Sequence, residues 1–209
     1  MQEVEKIMGK IFCLMGKSAS GKDTIYKKLL EREDLHLRRV IPYTTRPIRS
    51  GEAEGDDYFF RTLEEAAQME REGRIIEIRD YHTIHGLWRY FTADDGQICL
   101  EKHSYLMIGT LEAYGKIRDY FGAGSVVPVY VWVDDGVRLS RALARERSQE
   151  NPKYAEMCRR FLADEEDFSP EKLRAAGIEI GFENRSAEQV LQEISAYIKR
   201  KEPEYGGIS

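Results

Sequence analysis

A glycine-rich segment near the start of the chain carries the residue types that bind phosphate. The residues Gly16-Lys17-Ser18-Ala19-Ser20-Gly21-Lys22 fit the pattern GxxxxGK, between a run that predicts a strand and a pattern that predicts a helix. Glycines let successive backbone N–H groups turn inward toward phosphate oxygens, the helix N-terminus adds partial positive charge, and the lysine reaches the β and γ phosphates. The pattern predicts a nucleotide-phosphate site formed by Gly16, Ser18, Ala19, Ser20, Gly21, Lys22, Asp23 and Thr24. A Gly/Ser-rich turn that merely carries a lysine is the alternative.

Asp23 departs from this pattern, which normally has Ser or Thr after the lysine to offer a hydroxyl to Mg²⁺. A carboxylate is also a ligand for hard cations, and it is stabilised at a helix N-terminus. We therefore expect Asp23 to hold Mg²⁺, directly or through water, with a geometry that differs from the usual one.

A second segment groups arginines with a tyrosine. Thr44-Thr45-Arg46-Pro47-Ile48-Arg49-Ser50-Gly51-Glu52 is followed by Gly55-Asp56-Asp57-Tyr58. Two arginines three residues apart, with a tyrosine nine residues further on, can converge on one phosphate, because guanidinium groups bind phosphate in pairs of hydrogen bonds and the phenol donates another. A basic turn packed against acidic neighbours is the alternative.

Together, the two segments resemble the guanylate kinase family, in which TTRxxRxGExxGxxY forms much of the nucleoside monophosphate site. The resemblance extends from about Lys10 to Tyr197. It implies that Arg46, Arg49 and Tyr58 hold the phosphate of the acceptor nucleotide. It also implies that Glu77 reads guanine, since one carboxylate can accept from the N1–H and the amino group together. A solvated strand glutamate is the alternative for that residue.

Further positions depart from the family's pattern. Pro42 replaces a serine, and Leu87, in His85-Gly86-Leu87, replaces a serine or threonine, so two expected hydrogen bonds around the acceptor are absent. His85 could replace the family's tyrosine as a phosphate donor. Thr110 stands where the family has aspartates at the end of a strand. Together with Asp23, this suggests that the carboxylate and the hydroxyl have exchanged places between the strand end and the loop.

The resemblance also implies a lid whose arginines close over the triphosphate. Arg138, Arg141 and Arg145 fall at i, i+3 and i+7 along one helix, and Arg160 follows on the next helix, beyond Asn151-Pro152. We expect Arg145 and Arg160 to act in catalysis with Lys22, with Arg147 and Arg159 as alternatives and Arg141 as the weakest candidate. The alternative is that these arginines belong to a surface helix on which they alternate with glutamates.

Asn184 resembles the family's asparagine near the adenine, with a turn residue as the alternative.

These residues need a particular order of elements to bring them together. Strands and helices alternate over Tyr105–Ile108, Leu111–Tyr120 and Val126–Val133, which predicts a parallel sheet covered by helices on both faces. We therefore predict a single α/β domain with a P-loop kinase core (about 8–42, 98–135 and 169–200), a small mixed β acceptor-binding lobe (about 43–97) and a helical lid (about 136–168).

Shorter sequence patterns predict the remaining strands, turn and helices. Leu37–Ile41 and Ile178–Phe182 are predicted to be strands of the core. Tyr58–Phe60, Ile75–Ile78 and Arg89–Phe91 are predicted to be strands of the lobe, around a helix at Leu63–Arg71. Asp94-Asp95-Gly96 is a hairpin-type turn signal, and the helices Asp135–Arg147, Tyr154–Asp167 and Ala187–Arg200 complete the chain.

Composition excludes several classes of protein. Hydrophobic residues make up 42% and charged residues 33% of 209, which is typical of a folded enzyme. A net charge of -5 argues against binding nucleic acid through its backbone, and no apolar run is long enough to cross a membrane, so we expect a cytoplasmic protein. The three cysteines are widely separated, which predicts buried thiols and neither disulfides nor a zinc site.

Phosphoryl transfer between nucleotides needs positioning and charge neutralisation more than a dedicated nucleophile. The resemblance therefore implies an ATP-dependent nucleoside monophosphate kinase that uses Mg²⁺, with GMP first among acceptors. A kinase for a different small phosphorylated acceptor, favoured by Pro42, Leu87 and Thr110, remains open. So does a binding module without catalysis, although Lys22 and the full arginine set argue against it. Oligomeric state is not indicated.

Overall fold

The computed structural model describes residues 8–83 and 86–202. In chain order its elements are β1 (Ile11–Met15), α1 (Lys22–Leu30), a short 3-10 helix (Glu33–Leu35), β2 (Arg38–Arg39), β3 (Tyr43–Thr44), β4 (Phe59–Phe60), α2 (Leu63–Arg71), β5 (Ile75–Thr83), β6 (Gly86–Ala93), β7 (Tyr105–Ile108), α3 (Leu111–Phe121), β8 (Val126–Trp132), α4 (Asp135–Arg147), α5 (Tyr154–Asp167), α6 (Pro170–Ala175), β9 (Gly181–Glu183) and α7 (Ala187–Lys201).

Five strands form a parallel sheet in the order β2-β7-β1-β8-β9. Its central strand, β1, is fully buried, because apolar side chains cover both faces. Phe12 and Leu14 pack with residues of α1 and α7, whereas Ile11 and Met15 pack on the opposite face with α3. The predicted α/β fold, with a parallel sheet flanked by helices, is confirmed.

Four strands form a second, mixed sheet in the order β4-β3-β6-β5. β3 and β4 are parallel, and the other two pairs are antiparallel. Its apolar side is covered by α2, with Ala66 and Met69 packing on Tyr43 and Phe91. α2 begins where the sequence predicts because Thr62 caps it: the hydroxyl accepts from the Glu65 N–H and the Glu65 carboxylate accepts from the Thr62 N–H.

The lobe differs from expectation in the length of its strands. β5 and β6 pair over most of their length to form one long hairpin, whose connection at 84–85 lies outside the described residues. Asp94-Asp95-Gly96 does not connect two paired strands, so the hairpin-turn interpretation is wrong. The segment instead follows β6 back to the core, and Asp95 accepts a hydrogen bond from the Tyr43 hydroxyl.

Two predicted core strands are shorter than expected. β2 covers only Arg38–Arg39, because beyond it the backbone of Ile41 bonds the side-chain amide of Gln97. β9 starts at Gly181, since the N–H of Ile178 instead bonds the carbonyl oxygen of Leu173 in α6, a helix that was not predicted from the sequence.

α4 and α5 have the predicted bounds, and Asn151-Pro152 lies between them. α4 begins where Asp134 accepts from the N–H groups of Gly136 and Val137. In the part of the chain that the structure describes, no helix is long and apolar enough to span a membrane. The expectation of three buried thiols is wrong for two: Cys13 is buried, but Cys99 is partly accessible and Cys158, on α5, is exposed.

Candidate functional site

The GxxxxGK loop joins β1 to α1 and is shaped by two glycines. A Cβ on Gly16 would lie 2.2 Å from the carbonyl oxygen of Val131, so only glycine fits beside β8. Gly21 has φ of 90° and would place a Cβ 2.3 Å from Nδ2 of Asn184, so it needs glycine for its conformation and its packing. The sequence therefore folds the loop tightly against the ends of β8 and β9.

Asn184 holds this loop from the end of β9. Its buried amide donates a 2.7 Å hydrogen bond to the carbonyl oxygen of Ser20, and its own N–H bonds Trp132 at the end of β8. Arg141 lies beside it, with Nη2 3.4 Å from the Asn184 carbonyl oxygen. The structure therefore places Asn184 at the loop, and Arg141, the arginine considered weakest, reaches Asn184 from α4. Arg145 lies one turn further along and is exposed.

Lys22 and Asp23 open α1, and the lysine Nζ lies 3.3 Å from Oδ2 of the aspartate. The Asp23 side chain is 75% exposed, and Thr24 beside it is also exposed. No cluster of three or more metal-binding side chains occurs within residues 8–83 and 86–202. One accessible carboxylate beside a phosphate loop suits Mg²⁺, which binds proteins through one or two carboxylates and keeps substrate phosphates and waters as its other ligands.

A buried charge cluster ties α4 and α5 to the loop. The Arg138 side chain is 1% exposed and bonds carboxylates of both helices: Asp135 on α4, and Asp164 and Glu165 on α5. Asp164 also accepts a 2.8 Å hydrogen bond from the Ser18 N–H of the loop, and Lys17 pairs with Glu165. Unlike Arg145, Arg138 is not exposed as a lid residue would be, because three acidic side chains hold its guanidinium in the interior.

Two further lid candidates lie on α5 and face solvent, and the alternative Arg147, at the end of α4, is also exposed. Arg160 is exposed, whereas Arg159 is paired with Glu156 through two 2.7 Å hydrogen bonds. The alternative of a surface helix whose arginines pair with glutamates therefore applies to Arg159. The Arg160 side chain lies at the surface.

Arg46 is buried in the second sheet. Nη1 and Nη2 donate to the two carboxylate oxygens of Glu52 at 2.7 and 2.6 Å, and Nε donates to the Tyr90 hydroxyl. The guanidinium lies 4.9 Å from the ring centroid of Tyr58. The hydrogen bonds from Arg46 lower the pKa of the Glu52 carboxyl to about 2. The structure thus brings Arg46 and Tyr58 together, and it leaves the Arg49 side chain exposed.

Glu77 lies on β5 and is only 2% exposed, so the solvated-glutamate alternative is wrong. Its carboxylate accepts a 2.9 Å hydrogen bond from the Thr92 hydroxyl and two from Arg79, at 3.1 and 3.4 Å. The sequence pattern did not single out Arg79, although residues two apart on a strand share a face. Burial, and to a smaller extent the charge of Glu77, raises the pKa of the neighbouring Cys13 thiol to about 12, so that thiol stays neutral.

Three departures from the family pattern can be located. The Thr110 hydroxyl caps α3 by accepting from the Ala113 N–H at 3.2 Å. Pro42 offers its carbonyl oxygen to the N–H of Phe59, and Leu87 lies on β6 opposite His82. His85, expected at the acceptor phosphate, lies outside the described residues.

A parallel sheet whose first strand runs through a GxxxxGK loop into a helix defines the class of P-loop nucleotide-binding folds. Residues 8–86 match the family model for guanylate kinase. This range holds the loop, the arginine segment and Glu77, and it excludes Thr110, the lid arginines and Asn184.

Curated guanylate kinases resemble this chain over part of its length. The guanylate kinase of Oceanobacillus iheyensis is 40% identical over 96 residues, which is 44% of this chain and 46% of that protein. The guanylate kinase of Mycoplasma mobile is 46% identical over 69 residues, 33% of this chain and 34% of that protein. The chain therefore spans less than half the length of these relatives.

Comparison of structures extends the likeness along the chain. The crystal structure of guanylate kinase from Anaplasma phagocytophilum matches with a TM-score of 0.67 over 96% of this chain and 89% of that one, at 20% sequence identity. The chain has the guanylate kinase fold, and its resemblance to the guanylate kinase family is confirmed.

Proposed function

We propose that the chain is a nucleoside monophosphate kinase that transfers the γ-phosphoryl group of ATP, with GMP first among acceptors, to give GDP and ADP. The observation that carries the proposal is the joint presence, within the family match at 8–86, of a folded GxxxxGK loop and the arginine segment with Glu77. Donor and acceptor sites of this kind are what phosphoryl transfer between two nucleotides requires.

The loop would hold ATP through its N–H groups, with Lys22 on the transferring phosphate. Asn184 supports this role because its amide fixes the Ser20 carbonyl and so the curvature of the loop. Arg141 lies beside Asn184. Arg145 and Arg160 are exposed cations that would neutralise charge when α4 and α5 close on the nucleotide.

The acceptor phosphate is an anion at neutral pH, so its oxygen can attack without a general base. The work left to the protein is to orient that oxygen and to neutralise charge. We assign Arg46, Arg49 and Tyr58 to the acceptor phosphate. Thr110 and His85 are the further residues that we assign to the acceptor nucleotide. Glu77 is assigned to the base.

Mg²⁺, when bound with ATP, would offset negative charge on the phosphates. Asp23 is the residue that would hold it, since its carboxylate is accessible beside Lys22.

A different phosphorylated acceptor is the second candidate, and one contact favours it. Both oxygens of Glu77 already accept hydrogen bonds from Arg79, so the carboxylate is not free for a guanine base as it stands.

An assay of ADP release with GMP, AMP, CMP and UMP tests the proposal. We expect turnover with GMP above the others, and a loss of about a hundred-fold or more for Lys22→Ala, because that side chain neutralises the transferring group. The matched control is Lys28→Ala, because Lys28 is exposed on the same helix, and this variant should keep its activity. Leu30→Ala would be a poor control because Leu30 packs against the core. Turnover with another acceptor only would support the second candidate. The absence of turnover with all four nucleotides would contradict the proposed nucleoside monophosphate kinase activity.

A further inference from the structure

The base-reading carboxylate of the proposed acceptor site is covered by its own neighbour on the strand. Nε of Arg79 lies 3.1 Å from Oε2 of Glu77, and Nη2 lies 3.4 Å from Oε1. This is a side-on contact in which one edge of the guanidinium spans both carboxylate oxygens. Thr92 adds a 2.9 Å bond to Oε1.

A guanine base would need the same two oxygens at the same time. Its N1–H and amino group form a parallel pair of donors, as Nε and Nη2 of a guanidinium do. The two donor pairs therefore compete for one face of Glu77, whereas Thr92 approaches a single oxygen and can stay.

The strand register keeps Arg79 in this position. Glu77 lies opposite Thr92 and Arg79 lies opposite Tyr90 in the β5–β6 pair, so the two charged residues share a face of the sheet. The Glu77 side chain is 1% exposed and that of Arg79 is 19% exposed. The carboxylate is thus fixed inside, while the arginine lies nearer to solvent and can swing away on its longer side chain.

We propose that Arg79 is a specificity-determining residue that masks Glu77 and must leave its side-on contact before the carboxylate can read guanine. This inference rests on the proposed function, in which Glu77 reads the base. The mask weakens guanine binding, because each guanine hydrogen bond replaces one from Arg79. IMP lacks the amino group and makes one of the two bonds, so Arg79 can keep its other bond to Glu77 in the IMP complex. The mask therefore costs GMP more than IMP and reduces the discrimination between them.

The test measures binding and turnover separately in the wild type, Arg79→Ala and Arg79→Lys. Dissociation constants for GMP and IMP come from calorimetry without ATP, and KM and kcat come from ADP release. For Arg79→Ala we expect GMP to bind about ten-fold more tightly and the GMP-to-IMP preference to rise by a similar factor, since a hydrogen bond to a charged group is worth about ten-fold or more. The value of kcat should change little. Arg79→Lys, which keeps a cation but loses the side-on pair, should give an intermediate preference.

Two further variants protect the test against a merely structural effect. Arg79→Ala leaves a buried carboxylate without its cation, so Arg79→Gln, which can still donate to Glu77, is compared with it, and thermal unfolding confirms that both are folded. The Glu77→Gln change in the Arg79→Ala background should remove the gain for GMP.

Weaker GMP binding in both Arg79→Ala and Arg79→Gln, or an unchanged GMP-to-IMP preference in the folded variants, would overturn the proposal. These binding results do not depend on catalysis. A protein that binds GMP with the expected preference but transfers no phosphate would contradict the proposed kinase activity and leave the masking intact.

Discussion

Removing Arg138 should destabilise the protein more than removing any exposed arginine of α4 or α5. Its guanidinium carries hydrogen bonds to Asp135 at 3.0 Å, to Asp164 at 3.2 Å and to Glu165, and it lies 3.8 Å from the ring centroid of Phe161. Arg138→Met would keep much of the packing volume and leave the carboxylates unpaired. Breaking a buried ion pair from one side costs about 3–5 kcal/mol.

The lower end of that range applies, because Asp135 and Glu165 are partly open to solvent and can recover hydration. We therefore expect a loss of about 3 kcal/mol in the free energy of unfolding and a fall in Tm of about 6–12 °C for a chain of this size. Urea unfolding followed by circular dichroism measures both the midpoint and the slope. Arg159→Met is the control: it lies on α5, is 66% exposed and should change stability by less than about 0.5 kcal/mol. Equal effects of the two substitutions would refute the reasoning that Arg138 anchors the helices.

Three further outcomes follow from the site. Arg46 lowers the pKa of the Glu52 carboxyl from 4.5 to about 2. The stabilising effect of the Glu52 carboxylate should therefore be complete above pH 4.5 and lost as the pH falls toward 2. The Tm difference between wild type and Glu52→Gln, followed from about pH 7 to pH 2, should shrink across that window. Gly21→Ala should abolish ATP binding measured by calorimetry, because φ of 90° and a Cβ 2.3 Å from the Asn184 amide are both unfavourable; near-normal affinity would argue against the described loop. Asn184→Ala should raise KM for ATP about five- to ten-fold, as expected for one lost hydrogen bond, and a purely thermal effect with unchanged KM would contradict its role at the loop.

Local signals in the sequence were enough to predict the central strands of the core. The apolar run of β1 and the β-branched run of β8 predict buried parallel strands, and Thr62 and Asp134 fix where α2 and α4 begin through bonds to nearby N–H groups. The phosphate loop could be predicted because its glycines and lysine are contiguous.

Contacts between distant parts of the chain could not be predicted in this way. Arg138 shares helical spacing with Arg141 and Arg145, but the acids of α5 bury it. Arg79 becomes part of the site only because the β5–β6 register places it beside Glu77. Gln97 shortens β2 through its side chain from more than fifty residues away. In each case tertiary contacts overrode a local pattern.

Formation of GDP from GMP and ATP in the presence of Mg²⁺, quantified by chromatography of both nucleotide products, tests the account most directly. We expect GDP and ADP in equal amounts with the wild type, and a hundred-fold or greater loss with Lys22→Ala while GMP still binds. Binding of both nucleotides without any GDP, or GDP formed at the same rate by Lys22→Ala, would contradict the proposed kinase activity.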